Sequence, residues 1–471
     1  MKEETQKDET FRDSLATVTE EGKRKWVFPR KPSGKFYNAR TIVSIFLIAF
    51  LFGAPFIKIN GHPFILLNFL ERKFIIFSIP FGPHDFHLFG LAMIAVFVSI
   101  FLFTVIYGRI FCGWICPQTV FMEMLFRKIE YFIEGDSAKQ RALKNSTWTK
   151  EKFFKKTIKH LVFFGLSFVV SNTFLAYIIG IDELFKIISE PPWLHLGGLT
   201  AITIFSIVFY WVFSYFREQA CTIVCPYGRL QGVMLDQNSI VIAYDFKRGE
   251  PRGKLKKDVE QNFGDCIDCR LCVDVCPTGI DIRNGTQLEC VNCTACIDAC
   301  DSIMKKIDRP PKLIKYASLK EIETGVRNIF SARAIGYSVV LVILLSLISL
   351  LLLTRTQVEL SILRTPGLLY QEQSDDKISN LYDLQIINKT FDSFQADISL
   401  KNIKGEIKII GSNLKIESQE VEEAKFFVIL PKESIKQLNT PIEIAVNSNG
   451  KPLDVIRTSF LGKIKKEEPA K

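Results

Sequence analysis

The sequence lacks the signatures of several familiar enzyme classes. It contains no Gly-rich dinucleotide-binding fingerprint, no phosphate-binding P-loop and no Ser/His/Asp constellation, so we do not expect hydride chemistry within this chain. Glycine is sparse, with 27 of 471 residues, while 48% of the residues are hydrophobic. This composition excludes collagen, a coiled-coil rod and a fully disordered chain. The length excludes a small scaffold held together by disulfides.

Five long stretches contain no Asp, Glu, Lys or Arg. A helix needs about 20 apolar residues to cross the roughly 30 Å hydrocarbon core of a membrane, so we predict five transmembrane helices. Buried helices of a large soluble protein are the alternative, which the repeated occurrence disfavours. The stretches are Thr41–Ile57, Leu88–Tyr107, Leu161–Ile181, Leu194–Phe216 and Ala334–Thr354.

Lysine and arginine are concentrated in alternate connections between these stretches. They are frequent in residues 23–40, 108–160 and 217–333, and scarce in residues 58–87 and 182–193. The positive-inside rule therefore predicts an inside N-terminus, five crossings and an outside C-terminus. The first forty residues are polar, so we expect no cleaved signal peptide and a first helix that stays as an anchor. The net charge of +10 is interpreted as a topology signal, and no nucleic-acid partner is expected.

The region after Arg355 contains neither Cys nor His, which makes it a poor candidate for metal chemistry. Short β-rich runs are separated there by Asn, Gly, Pro and Lys. This pattern predicts a small antiparallel β-sandwich outside the membrane. The runs are Leu384–Ile387, Ala396–Leu400, Ile407–Ile410, Phe426–Leu430, Ile442–Val446 and Val455–Phe460.

Eight of the twelve cysteines form two copies of C-x2-C-x2-C-x3-C. This is the spacing of two-cluster bacterial ferredoxins, in which the fourth cysteine of each copy ligates the other cluster. We therefore predict two [4Fe–4S] clusters. Paired structural zinc sites are the alternative, and disulfides are disfavoured because the inside compartment is reducing. Cluster A is assigned to Cys266, Cys269, Cys272 and Cys300, and cluster B to Cys290, Cys293, Cys296 and Cys276.

The other four cysteines form two C-x3-C-P motifs, at the predicted inside ends of the second and fourth apolar stretches. Residues four apart share a helix face, so each pair can present two sulfurs together, and the proline favours a local break. Soft thiolates suit Cu(I), zinc or iron–sulfur. The four cysteines could bind copper, hold a third cluster or cycle as disulfides. The structural alternative is that they are redox-inert small residues that pack helix ends. The motif cysteines are Cys112, Cys116, Cys221 and Cys225.

Four histidines lie in the segments predicted to be outside. A bis-His haem or an outside copper site is one interpretation. Their spacing is not that of a metal site, and we favour interfacial or structural roles. They are His62, His84, His87 and His195.

The predicted fold class is a multidomain membrane protein. It combines an α-helical bundle of five transmembrane helices, an inserted two-[4Fe–4S] ferredoxin-like domain and a C-terminal all-β sandwich. The predicted parts are a tail (1–40), a four-helix region with both C-x3-C-P motifs (41–216), a segment (217–333) with the ferredoxin-type domain at about 257–308, a fifth helix (334–354) and the β domain (355–471).

Three segments together resemble the CcoG family of cytochrome c oxidase accessory proteins, also called FixG or RdxA. They are GRIFCGWICPQTVFMEMLFRKIEYFIEGD (108–136), REQACTIVCPYGRLQG (217–232) and the doubled ferredoxin motif, and the resemblance extends over nearly the whole chain. It implies an inner-membrane protein with a cytoplasmic ferredoxin domain and a periplasmic immunoglobulin-like domain. It also implies that Cys266 to Cys300 hold the clusters and that the C-x3-C-P thiols are the copper or redox site. Asp301 stands where a proline is common, which puts no ligand in doubt.

The family resemblance implies assistance to cbb3-type oxidase assembly, through reduction of Cu(II) to Cu(I). Our leading hypothesis is therefore a cupric reductase that is fed by an unknown cytosolic electron donor. Copper ions, oxidase subunits or copper chaperones, and the membrane would be its partners. The rivals are a quinol-oxidising electron conduit, as in membrane ferredoxins with the same motif, and a non-enzymatic assembly scaffold.

Overall fold

The computed structural model describes residues 16–463 except 20, 255–262, 328–330, 368, 374–375, 412–413, 436 and 449–450. The predicted start of the ferredoxin-type domain, at about residue 257, lies outside the described residues, as do residues 1–15 of the tail and 464–471 of the β domain. The chain divides into two units. The first is Met1–Ile57 with Gly90–Ile348, and the second is Lys58–Phe89 with Ser349–Lys471.

Long apolar helices dominate the first unit, and short helices surround the cysteine motifs. The helices are α1 (Lys35–Gly53), α2 (Phe86–Tyr107), α3 (Ile110–Trp114), α4 (Pro117–Thr119), α5 (Arg127–Ile133), α6 (Ser137–Asn145), α7 (Lys150–Ile179), α8 (Ile181–Ser189), α9 (Leu196–Trp211), α10 (Pro226–Met234), α11 (Phe246–Gly249), α12 (Leu271–Asp274), α13 (Ala295–Lys306), α14 (Leu319–Thr324) and α15 (Ala332–Leu353).

Among the described residues, five helical spans are long and apolar enough to cross a membrane, which confirms the predicted number. Their side chains are largely exposed: in α15, Val342, Ile343 and Leu350 all face outward. Apolar surface of this extent requires contact with lipid or with another protein. The chain is therefore an α-helical membrane protein.

The helices do not start where the charge-free stretches start. α7 begins at Lys150, well before Leu161, because the Thr149 hydroxyl accepts a hydrogen bond from Lys152 N at 3.2 Å and caps the helix. It ends at Gly180, whose φ of 88° suits glycine. Apolar content marks the part of a helix that can lie in lipid, whereas capping residues mark its ends.

The strands belong mainly to the second unit. They are β1 (Lys58–Ile59), β2 (His62–Pro63), β3 (Ile65–Asn68), β4 (Lys73–Ile76), β5 (Ile79–Phe81), β6 (Val241–Tyr244), β7 (Ile314–Ala317), β8 (Val358–Arg364), β9 (Gln371–Gln373), β10 (Lys377–Asn388), β11 (Phe394–Leu400), β12 (Glu406–Ile410), β13 (Leu414–Ile416), β14 (Val421–Pro431), β15 (Asn439–Ser448) and β16 (Lys451–Leu461).

Two antiparallel sheets form the C-terminal part of the second unit, as the strand pattern predicted. One sheet has the order β12–β14–β10–β8, with β9 also paired to β10, and the other has the order β13–β11–β15–β16. Ile378, Tyr382 and Leu384 of β10 are buried in the core. The Tyr382 hydroxyl donates to Ser459 O of β16 at 2.8 Å, so the buried phenol is satisfied across the two sheets.

The segment between α1 and α2 also belongs to the second unit, which the predicted division of the chain did not include. It forms the small sheet β3–β4–β5, and the His62 ring stacks on Phe391 with centroids 3.7 Å apart. The buried Asp85 carboxylate accepts from Arg355 Nη2 at 2.8 Å and from Lys389 Nζ at 3.0 Å. Two cations from the distant C-terminal sequence thus hold this segment in place.

Replacing the Asp85 carboxylate should weaken the second unit. Asp85→Asn keeps the shape but leaves Arg355 and Lys389 without their shared buried counter-ion. We expect a loss of about 3 kcal/mol in unfolding free energy, because breaking one side of a buried ion pair leaves uncompensated charge. Calorimetry of the full chain in detergent measures the effect. The exposed Asp397→Asn is the control, and equal transitions in both variants would contradict the prediction.

Candidate electron-transfer site

The eight ferredoxin-type cysteines line two neighbouring cavities in the first unit. The cavity for cluster A is lined by all four of its assigned cysteines together with apolar side chains such as Met304 and Leu313. The cavity for cluster B is lined by its own four cysteines, by Cys272 on the side facing cluster A, and by apolar side chains such as Ile242 and Ile280. The four cysteines that the interleaved spacing assigns to each cluster therefore line the same cavity. The ligand assignment itself stays a prediction.

The duplication of the motif extends to the backbone. Asp268 and Arg270 have φ values of 50° and 58°, and their counterparts Asn292 and Thr294 have φ values of 53° and 65°. Each copy thus turns through the left-handed region twice before its helix, α12 or α13. β6 and β7 pair on either side of the segment, Val241 with Ala317, and join its ends.

The chemistry of both cavities suits iron–sulfur clusters. Burial raises the pKa of the Cys272 and Cys300 thiols to about 12, so metal coordination is needed to hold them as thiolates at neutral pH. Among the described residues, the buried Nδ2 of Asn292 has no acceptor, and the Oδ1 of the same amide lies 3.6 Å from the Cys290 sulfur. Cluster sulfur atoms accept such N–H groups. Four thiols in each largely apolar cavity fit the group, and the spare Asn292 donor belongs to the loop that carries the cluster B cysteines.

The two C-x3-C-P motifs do not lie on continuous helices, contrary to the expectation that each pair shares one helix face. Cys112 is in α3, but Cys116 has ψ 124° and begins α4. Cys221 lies in the π-helical turn Ala220–Val224, and Cys225 has ψ 111° and begins α10. A residue before proline is pushed out of the helical region, and proline is well suited to the first helical position. Each motif is therefore a helix break with a cysteine on both sides.

The structure brings the two motifs together. The Gln231 side chain of α10, which follows the second motif, donates from Nε2 to the Cys112 sulfur of the first motif at 3.5 Å. Burial, with a smaller contribution from the neighbouring cysteines Cys116, Cys112 and Cys225, raises the pKa of Cys221 to about 12. The four thiols therefore lie within electrostatic reach of one another.

The joined motifs pack against the cluster B side of the ferredoxin segment. Cys112 and Cys221 contact an apolar group that contains Val275, Val291 and Cys293. Gly113 makes the closest approach: a Cβ at this position would lie 2.5 Å from Asn292 O and 2.6 Å from Val291 O. Only glycine allows α3 so near to this backbone. The C-x3-C-P thiols are thus neighbours of the loop that carries the cysteines assigned to cluster B.

Two side-chain bridges fix this contact. Trp114 Nε1 donates to the Tyr316 hydroxyl at 3.2 Å, and that hydroxyl donates to Asn292 O at 3.3 Å. The buried Arg40 donates to Gly113 O and to Cys293 O, each at 2.9 Å. α1, the first motif and the ligand loop of cluster B are therefore joined by hydrogen bonds.

A buried network of ion pairs beside the second motif was missed by the sequence analysis. Glu130 accepts from Arg217 Nη2 at 2.7 Å and from Lys159 Nζ at 3.2 Å. Glu218 lies 3.6 Å from Arg127 Nη2. Burial would raise the pKa of Glu130, but Arg217 and Lys159 hold it well below its ordinary value. Arg217 and Glu218 directly follow the fourth apolar stretch. Charged residues at that position were interpreted as a membrane-topology signal, so the sequence did not indicate that these two form buried ion pairs.

The histidines have separate surroundings. His195 Nε2 lies 2.5 Å from Glu190 Oε2, the His87 ring contacts His84 O, and His62 stacks on Phe391. Within the described ranges, no group of three or more His, Cys, Asp or Glu side chains is placed to hold a single metal ion.

Comparisons with known proteins agree with this architecture. RdxA of Cereibacter sphaeroides is 31% identical over 93% of this chain and 97% of its own length. RdxB of the same organism is 34% identical over 80% of this chain and 82% of its own length. The nitrogen fixation protein FixG of Rhizobium meliloti is 28% identical over 93% of both chains. The chain belongs to the FixG/RdxA family.

Family models locate the same features along this FixG/RdxA chain. Residues 89–133 match a 4Fe-4S binding domain, and residues 216–319 match a 4Fe-4S dicluster domain. Residues 348–463 match the IG-like fold at the C-terminus of FixG. The predicted family and fold class are therefore confirmed, and the protein is an iron–sulfur redox protein of the membrane.

Enlarging Gly113 should separate the thiols from cluster B. In Gly113→Ala, the new methyl group would overlap backbone oxygen atoms that cannot rotate away. We expect a loss of about 1–3 kcal/mol in stability, as for other overpacked sites, with a lower thermal midpoint and weaker iron retention. Gly165→Ala in α7 is the matched control, since nothing lies within 4 Å of its Cβ position. Equal midpoints for the two variants would show that the approach is not tight.

Proposed function

We propose that this protein is a membrane-bound cupric reductase that supplies Cu(I) for assembly of a cbb3-type oxidase. The observation that supports it most is the packing of both C-x3-C-P motifs against the cluster B side of the ferredoxin segment. Iron–sulfur clusters in the two cavities would supply one-electron transfer. A pair of these thiols would hold copper, since among the described residues no three such ligands are placed on one ion, and each Cu(II) would take one electron to become Cu(I).

Exposure of the ligands supports a direction for the electrons. Each set of assigned ligands has two buried cysteines, but Cys269 of cluster A is the one exposed cysteine among the eight. A donor protein can therefore approach the Cys269 side, and the opposite side faces Cys112 and Cys221. The donor would be a cytosolic one-electron carrier, and the motifs would lie on the cytoplasmic side of the inner membrane.

The thiol chemistry supports copper as the substrate. Thiolates are soft ligands that favour Cu(I). Burial raises the pKa of Cys112 to about 11, so this thiol is protonated at neutral pH until a metal displaces the proton. Without copper, such a site would be redox-inactive. The second unit would be periplasmic and would bind oxidase subunits or copper chaperones.

Removing one thiol from each motif should abolish copper reduction. The double variant Cys112→Ala and Cys225→Ala leaves the eight ferredoxin-type cysteines unchanged. We expect loss of anaerobic Cu(II) reduction, followed with a Cu(I)-specific chelator and dithionite-reduced protein, while cluster absorption persists.

Val224→Ala is the matched control for this assay, because Val224 lies within the second motif and is 61% exposed. It should reduce Cu(II) at the rate of the unaltered protein. Undiminished activity in the double cysteine variant would show that these thiols take no part in Cu(II) reduction. Quinol-dependent cluster reduction without Cu(II) reduction would favour the electron-conduit alternative instead.

The iron content of the purified protein should distinguish a chain with two clusters from a chain with three. We expect about eight irons per chain and an EPR spectrum of two interacting [4Fe–4S] clusters in the dithionite-reduced protein, as in two-cluster ferredoxins. About twelve irons would mean that the C-x3-C-P thiols hold a third cluster, against the copper proposal. The Cys112→Ala and Cys225→Ala double variant is the control, since its iron content should equal that of the unaltered protein.

A further inference from the structure

Two buried guanidinium groups near the cysteines assigned to cluster B have no acidic partner among the residues that the structure describes. Arg40 and Arg109 are each 4% exposed. Arg40 donates to Gly113 O and Cys293 O. Arg109 donates to Leu288 O from Nη1 and to Gly228 O from Nη2. In the part of the chain that the structure describes, these bonds to backbone carbonyls are their polar contacts, and neither side chain forms an ion pair.

The acids nearest to these arginines do not neutralise them. Glu123 lines the same small cavity as Arg40, but its carboxylate lies 3.0 Å from Arg127 Nε. Glu289 follows Leu288 and is close enough to feel the charge of Arg109, but over the described ranges the two form no ion pair, and burial still raises the pKa of the Glu289 carboxyl. Leaving a buried charge uncompensated is costly, so a buried anion is needed nearby.

Cluster A has the opposite surroundings. Arg283 lines its cavity, but the Nη2 of Arg283 lies 2.6 Å from Asp281 Oδ2 and its Nη1 lies 2.5 Å from Asp268 Oδ1. This guanidinium is therefore neutralised by two aspartates. Arg270 also lines the cluster A cavity, but it is exposed, so solvent screens its charge. Among the described residues, the ligand region of cluster B thus has two buried positive charges without an ion pair, whereas the buried one beside cluster A is paired.

The backbone contacts place the two unpaired charges at the cluster B ligands. Arg40 bonds to the carbonyl of Cys293 itself, and Arg109 bonds to the carbonyl two residues before Cys290. A cluster becomes more negative when it is reduced, and nearby positive charge in a buried, weakly screened site favours that state.

We propose that Arg40 and Arg109 are the built-in counter-charges of cluster B, which hold its reduction potential above that of cluster A. With clusters bound, electrons that enter at the cluster A cysteines would be drawn toward the C-x3-C-P thiols. The two arginines are positioning residues with an electrostatic role. This inference rests on the cluster assignment within the proposed function.

An EPR-monitored redox titration of the full chain in detergent tests the proposal. In the unaltered protein, cluster B should have the higher midpoint potential, and Cys269→Ser identifies the cluster A signal because it alters a ligand of that cluster alone. In Arg40→Met and Arg109→Met, the midpoint of cluster B should shift to lower potential while that of cluster A moves less. The double variant should show the larger shift.

Two kinds of control separate charge from structure. Arg40→Lys and Arg109→Lys keep the positive charge and should keep most of the potential, even if the methionine variants fail to load cluster B. Lys305→Met removes the same charge from an exposed position on α13 and should leave both midpoints unchanged.

Three results would overturn the proposal. They are a cluster A midpoint at or above that of cluster B in the unaltered protein, methionine variants that load both clusters with unchanged potentials, and lysine variants that shift cluster B as far as methionine does. Absence of both clusters from purified protein would instead contradict the proposed function, so the two failures are distinguishable.

Discussion

The approach of α3 to the Val291–Asn292 backbone is the contact on which the candidate site depends. Any side chain at Gly113 would overlap main-chain oxygen atoms, so the first C-x3-C-P motif meets the ferredoxin segment through a bare glycine backbone. Arg40 strengthens the contact by bonding to carbonyls on both sides of it. Because these are main-chain contacts, the distance between the motif and the cluster B loop is set by the fold, with little freedom for side-chain motion.

Proline and left-handed residues set the local geometry around that contact. The cysteine before each proline is extended, which ends one helix and begins the next. In the ferredoxin segment, the paired left-handed positions at Asp268 and Asn292 repeat the same turn in both copies. Repeated sequence therefore becomes repeated geometry, and two similar sites arise side by side.

Buried charge distinguishes these two similar sites. Arg283 beside cluster A has two aspartate partners, whereas Arg40 and Arg109 beside cluster B have carbonyl partners. The ion pairs of Glu130 and Glu218 occupy the region where the second motif begins. A protein with duplicated metal motifs can thus make them unequal without altering any cysteine. In the second unit, Asp85 likewise holds together segments far apart in sequence.

The sequence by itself determined the features that depend on local order. Charge-free runs identified the five apolar helices, strand periodicity identified the antiparallel sandwich, and cysteine spacing identified the two ferredoxin motifs, because length, alternation and spacing are properties of a continuous segment. It also identified both C-x3-C-P motifs and the local break that proline favours, but the expectation that each cysteine pair shares one helix face was wrong.

Only the tertiary structure decided which of these parts meet. Nothing in the order of residues indicates that Gly113 lies on Asn292, that Arg109 bonds to Leu288 and Gly228, or that Asp85 pairs with Lys389. A basic residue at the end of an apolar stretch has the same sequence signature whether it faces lipid headgroups or is buried against a metal ligand. The difference lies in desolvation and in the partner that the fold supplies, and both arise from contacts between distant segments.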